Sequence, residues 1–264
     1  MNMELIYGCA DEKPLDTLVT DGGFCPVMRT IACVGDSLSS GEFESFDDDG
    51  VKHYHDMFDY SWGQYMARLA GCKVYNFSRG GMTAKEYCES FAEANGYWDT
   101  DKAAQGYIIA LGVNDVMNAK QTVGSVDDIC MEDYTRNADT FAGYYAQIIQ
   151  RYKEIQPDAK FFLVTKPVDD RDKDYDGADR MSELLYSFAQ FFDNTYVIDL
   201  RKYAPVYDEA FKKKFFLGGH MNPAGYLLTA KFITSYIDYI IRHDFEAFSK
   251  IGFVGYNGSD YRFV

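Results

Sequence analysis

Thr30-Ile31-Ala32-Cys33-Val34-Gly35-Asp36-Ser37-Leu38-Ser39 decides how the rest of the chain is read. Its first five residues are β-branched or small and apolar, as in a strand buried on both faces, and Gly35 stops the run. The polar turn that follows would hold the Ser37 hydroxyl at the carboxyl edge of the strand. Similar short apolar runs recur at Lys73 to Phe77, Gly106 to Leu111, Lys160 to Thr165 and Thr195 to Leu200. Helical periods lie at Trp62 to Ala70, Thr83 to Ala94, about Tyr134 to Ile155, Asp179 to Phe192, and finally Pro223 to about His243. This alternation predicts five parallel strands with crossover helices on both faces, a doubly wound, flavodoxin-like three-layer α/β/α sandwich. In such a sheet the ligand sits at the carboxyl ends of the strands, so the residues just after each strand are where chemistry is expected.

Working outward, no repeat, low-complexity tract or linker divides the 264 residues, and the six prolines are scattered. The expectation is one domain over 1–264, with a core of about 30–243, an N-terminal extension 1–29 and a C-terminal appendage 244–264. In that appendage Asn257-Gly258 suits a tight hairpin turn between Ile251 and Val264. A composition that is 47% hydrophobic supplies a core and excludes a disordered or fibrous protein. The formal charge of -15 would repel a nucleic-acid backbone or an anionic membrane face. The longest apolar runs, Tyr107 to Leu111 and Phe161 to Val164, fall far short of the roughly 20 residues that span a bilayer. Met1 to Ile6 has no basic region leading into an apolar stretch, so a cytoplasmic location is expected. Six cysteines stand singly with no Cys-x-x-Cys pair, which fits small buried hydrophobes better than zinc or a disulfide framework.

Four polar segments fall at the predicted boundaries. Gly35-Asp36-Ser37-Leu38-Ser39 follows the first strand, and Asn76-Phe77-Ser78-Arg79-Gly80-Gly81-Met82-Thr83 follows the second, its two glycines letting backbone N–H groups approach a ligand. Gly112-Val113-Asn114-Asp115 follows the third. Gly218-Gly219-His220-Met221-Asn222-Pro223 sets a histidine just before a helix start, with Asn222 as N-cap and Pro223 as first helical residue. Taken singly, each residue also fits a plain cap or turn.

These segments, in this order from about Thr30 to His243, resemble the SGNH (GDSL-type) hydrolase family, whose four blocks are matched by Ser37, Gly81, Asn114 and His220. The resemblance implies a serine hydrolase acting on carboxylic esters with no required cofactor. Ser37 would be the nucleophile and His220 the general base, then acid. The Ser37 N–H, the Gly81 N–H and the Asn114 amide would form the oxyanion hole, with Asp36 and Asp115 in supporting places. A serine hydroxyl becomes a useful nucleophile only when an imidazole takes its proton, and the tetrahedral oxyanion needs donors already aimed at it.

One departure stands out. The family usually has an acid three residues before its histidine, and here that position is Leu217. The sequence leaves three outcomes: a Ser37–His220 dyad held by a backbone carbonyl near Leu217, which is the favoured one; a substitute acid, with Asp199 after the fifth strand the nearest in topology; or lost turnover. The last would make the chain a non-catalytic ligand- or carbohydrate-binding domain. The expected partner is a small acyl ester, short-chain or carbohydrate-linked, and nothing in the sequence sets an oligomeric state.

Three weaker signals remain. Asp172, Asp174, Asp176, Gly177 and Glu183 match the spacing of a calcium loop, although a solvated acidic loop is the plainer reading. His53 and His55 lack a third spaced ligand for a metal. Gly41 to Tyr60 reads as an aromatic-rich loop that would either wall the substrate cleft or simply pin itself to the surface.

Overall fold

The computed structural model describes residues 3–9, 11–173 and 176–252. Among these the strands are β1 (Thr30–Gly35), β2 (Glu42–Phe46), β3 (Lys52–Asp56), β4 (Lys73–Ser78), β5 (Gly106–Ala110), β6 (Lys160–Val164), β7 (Thr195–Ile198), β8 (Phe216–Leu217) and β9 (His220–Met221). The central sheet has the order β4-β1-β5-β6-β7, and every pairing in it is parallel. The predicted doubly wound α/β sandwich is therefore the observed architecture, with each predicted strand present to within two residues at its ends.

The period of two along a strand sends successive side chains to opposite faces, and each face has its own core. Ala32 and Val34 of β1 join Tyr107, Ile109, Phe161 and Leu163 under the helices Phe141–Ile155 and Gly177–Phe191. Ile31 and Cys33 face the other way, onto Trp62, Met66, Ile233 and Ile237 of the helices Trp62–Ala70 and Pro223–His243. Helix starts follow local chemistry. Ser61 Oγ accepts from Gln64 N at 3.3 Å, and Asn222 Oδ1 accepts from Gly225 N at 2.9 Å with Pro223 just inside.

Two expectations change. The helix expected from Tyr134 begins at Phe141, because Thr140 adopts an extended backbone and caps Gly143 N at 3.1 Å, leaving Tyr134–Arg136 as a separate 3-10 turn. The expected loop Gly41 to Tyr60 is largely an antiparallel hairpin of β2 and β3, with Glu44 opposite Tyr54 and Glu42 opposite Asp56. Its turn is closed by Asp47 Oδ1, which accepts from Val51 N at 2.8 Å and from Asp49 N at 3.1 Å. The predicted C-terminal hairpin lies, beyond Ile251 and Gly252, outside the described residues. Among the described residues no helix is long and apolar enough to cross a membrane.

Candidate active site

The carboxyl edge of the sheet gathers the four segments. β1 ends at Gly35, where a Cβ would collide with the Ser39 side chain, so the chain can turn tightly only with glycine there. Asp36 then caps a single helical turn, its Oδ1 accepting from Leu38 N at 3.1 Å, and Ser37 is the first residue of that turn. Gly41, left-handed at φ 83, ends the turn and launches β2.

Gly81 also has a left-handed backbone, φ 72, that favours glycine, and it follows β4 directly beside this turn. Asn114 lies at the start of a π-helical stretch, Val113–Asn118. Its Nδ2 donates to Met82 O at 3.1 Å and its Oδ1 accepts from Asn118 Nδ2 at 2.8 Å. Those two bonds fix which way the amide faces and leave Nδ2 a second proton. Asp115 next to it is fully buried, and its Oδ1 accepts from Ala84 N at 2.8 Å, tying the Asn114 segment to the helix that follows Gly81. Burial pushes this carboxyl up to about 7 despite the backbone N–H groups around it.

His220 occupies β9, and its imidazole is held from both sides by β2. Nδ1 lies 2.7 Å from Glu44 Oε1, and Nε2 lies 3.1 Å from Glu42 Oε1. Residues two apart on a strand share a face, which is why both glutamates reach one ring while Phe43 points away onto Tyr226 and Tyr60. The hairpin is anchored beside the histidine: Tyr226 OH donates to Glu42 O at 2.6 Å, and Ser40 Oγ donates to Asp56 Oδ1 at 2.6 Å. Glu44 is buried, which by itself would raise its carboxyl. Lys52, 2.9 Å from Oε2, the Gly219 N–H and His220 outweigh this and hold it down at about 2. Glu42 is raised, chiefly by burial.

A cleft of about 520 Å³ is lined by Ser37, Glu42, Gly81, Asn114, Asn118 and His220, with Tyr54 on its rim. It thus brings together the four residues that the sequence singled out. The Tyr54 ring stands edge-on to the imidazole at 6.0 Å, so the hairpin does wall the cleft at that point. A second, apolar recess of about 90 Å³ shares Leu38, Val113, Pro167 and Tyr207 with it and runs inward toward Phe141 and Met181.

Other candidates lie elsewhere or are already occupied. Asp199 does not serve His220: its Oδ1 accepts from Thr165 Oγ1 at 2.9 Å and Lys202 N at 3.0 Å, and its Oδ2 accepts from Tyr186 OH at 2.7 Å. Nor is a carbonyl near Leu217 the partner of Nδ1, because the Glu44 carboxylate takes that place. In the proposed calcium loop, Asp172 is paired with Lys166 at 2.8 Å and Arg201 at 2.7 Å, which puts cationic side chains where an ion would go. Gly177 already starts the helix that carries Glu183, so the second half of that segment does not wrap as a loop, and Asp174 lies outside the described residues. Among the described residues no group of three or more His, Cys, Asp or Glu side chains could hold a metal. His53 pairs with Asp47 and His55 with Ser45, and both histidines lie on the hairpin face opposite to Glu42 and Glu44.

Sequence reasoning missed Glu42, Glu44 and Asn118. The available signal was the alternation Glu42-Phe43-Glu44-Ser45-Phe46, a strand with one acidic face directly after the serine turn.

The family model for the GDSL-like lipase/acylhydrolase family matches residues 33–228, about three quarters of the chain. Among solved structures the chain resembles a family two carbohydrate esterase from Clostridium thermocellum, solved with cellohexaose. That likeness has TM-score 0.54 and 17% identity and covers 83% of this chain and 65% of that one. It also resembles a protein from Lactobacillus plantarum, at TM-score 0.58 and 15% identity over 80% of this chain and 97% of that one. An acetyl xylan esterase is similar at TM-score 0.52 and 17% identity, over 79% and 99% of the two chains. No match was found among curated proteins. At these identities the solved structures speak for the fold alone.

Proposed function

Because the chain belongs to the GDSL-like lipase/acylhydrolase family, we propose that it is a serine esterase that forms an acyl-enzyme on Ser37. The observation that carries this reading is the convergence of Ser37, Gly81, Asn114 and His220 on one cleft at the carboxyl edge of the sheet. The Ser37 hydroxyl attacks the ester carbonyl carbon while His220 Nε2 takes its proton. The carbonyl oxygen becomes an oxyanion received by the Ser37 and Gly81 N–H groups and the spare Asn114 Nδ2 proton. As the carbon–oxygen bond to the alcohol breaks, His220 returns the proton to the departing oxygen. A water then repeats the sequence against the acyl-enzyme, releasing the acid and restoring Ser37. For the first step Glu42 must give up Nε2, so substrate entry and the withdrawal of Glu42 belong to the same event.

The substrate favoured is a short acyl ester, free or carried on a carbohydrate. The apolar recess beside the cleft, about 90 Å³, is smaller than the roughly 150 Å³ that admits a benzene ring, which suits an acyl group of a few carbons. Tyr54, 57% exposed on the rim, offers an aromatic face to a sugar ring, and the similar structures include a carbohydrate esterase and an acetyl xylan esterase. Leu217, standing where the family's acid is expected, favours a second reading in which the cleft binds acylated ligands without turning them over.

Initial rates on p-nitrophenyl esters from acetate to long acyl chains separate the two. The esterase reading expects turnover that is greatest for the shortest chains and that is lost in Ser37→Ala. A wild type as silent as the mutant would leave the binding reading standing.

A further inference from the structure

We propose that Glu44, reaching in from the β2–β3 hairpin, is the positioning residue for His220 and replaces the acid that Leu217 cannot supply. The inference rests on the reading of Ser37 and His220 as nucleophile and base. Four observations carry it. Glu44 Oε1 is 2.7 Å from Nδ1, the nitrogen opposite the one that would face Ser37, so the contact sets the ring's tautomer and direction in one bond. The carboxylate is buried yet kept ionised: burial raises it, and Lys52, the Gly219 N–H and His220 bring it down to about 2. It therefore stays anionic wherever the imidazole works, as an acid that stabilises an imidazolium must.

The chain before the histidine is also shaped around it. A Cβ on Gly218 would strike Glu44 Oε2, and one on Gly219 would come within 2.7 Å of Glu44 Oε1. Gly218 is in addition left-handed, at φ 72. The Leu217-Gly218-Gly219-His220 segment thus forms a tight β8–β9 turn, with Leu217 paired to His220 and turned out to solvent at 53% exposure. Two glycines clear the room that a carboxylate from another strand then fills. Finally, the hairpin is held in register with the site from below: Phe43 packs on Tyr226 at 5.3 Å, and Tyr226 donates to the Glu42 carbonyl at 2.6 Å. Glu44 is therefore delivered by a supported element and not by a free loop.

The test compares the full-length wild type with Glu44→Gln and Glu44→Asp on p-nitrophenyl acetate, with thermal unfolding run beside the rates. The expected result is a kcat lowered by about 10² to 10⁴ in Glu44→Gln with KM nearly unchanged, and a smaller loss in Glu44→Asp, which keeps the charge. A side chain that merely braced the turn would lower the unfolding midpoint without that selective loss of kcat. A Glu44→Gln rate within about threefold of wild type, or a loss confined to KM, would overturn the proposal. Should the glutamine variant not fold, proton NMR of ¹⁵N-histidine-labelled wild type decides. A downfield Nδ1–H of His220, assigned by its loss in His220→Asn and shifted in Glu44→Asp, supports the contact, and its absence removes it. A wild type silent on all esters would sink the esterase reading and this inference together, whereas an active wild type with an unaffected variant sinks only the role of Glu44.

Discussion

Glu42 is the side chain whose position most constrains the chemistry. Its Oε1 lies 3.1 Å from His220 Nε2, the nitrogen that takes the Ser37 proton in the proposed mechanism, so on that proposal it competes with the nucleophile for the base. Burial raises its carboxyl, the neighbouring Asp56 and Glu44 charges add to that, and His220 opposes it. Glu42→Gln removes the ionic hold on Nε2 and is expected to raise kcat/KM at neutral pH by roughly threefold or more. A tenfold or greater fall in the same assay would mean that Glu42 serves the substrate instead. Asn114 works in the opposite sense, because its amide is pinned by Met82 O and Asn118 with a proton to spare. Asn114→Ala should lower kcat by about 10² to 10³ with the fold intact, and full activity in that variant would remove Asn114 from the oxyanion hole.

Among the elements, the β2–β3 hairpin takes, on this proposal, the place that the family resemblance gives to an acid just before the histidine, and the glycines of the β8–β9 turn make this geometrically feasible. Gly219→Ala is expected to displace the Glu44 carboxylate and to reproduce the Glu44→Gln loss of kcat in the ester assay. An alanine variant with wild-type kcat would show that the carboxylate does not need that space. This is also where the sequence was hardest to read. The five central strands were legible because strands buried on both faces carry unbroken apolar runs, and Pro223–His243 was legible because Asn222 and Pro223 mark its start. The hairpin carries Glu and Asp on one face and Ser and His on the other, so it reads as a polar loop and its period of two was missed. The Glu44 contact joins residues 176 apart in the chain, a separation that no local pattern encodes. Ser37, Gly81, Asn114 and His220 were legible for the opposite reason, since each sits within a few residues of a strand end and carries a local turn or cap signal.

For the molecule as a whole, two buried carboxylates pull stability in opposite directions with pH. Asp115 is raised from 3.8 to about 7 by burial, so the fold gains from its proton below the unfolded value and loses that gain as pH climbs through about 7. Glu44, lowered from 4.5 to about 2, contributes above its unfolded value and loses the contribution as pH falls toward 2. Asp115 Oδ2 is buried with no hydrogen-bond partner among the described residues, so the charge there is uncompensated on that side. In thermal unfolding from pH 4 to 8, Asp115→Asn should lack a fall that wild type shows toward pH 7, a difference on the order of 4 kcal/mol at most. Parallel pH curves for the two proteins would contradict the account of Asp115.

The most direct test of the central claim is labelling with a fluorophosphonate, followed by peptide mass spectrometry of the folded protein. The account predicts a single adduct on Ser37, formed in step with the loss of ester hydrolysis and absent from Ser37→Ala. Ester hydrolysis that survives in Ser37→Ala, or an active wild type that carries no adduct on Ser37, would contradict it.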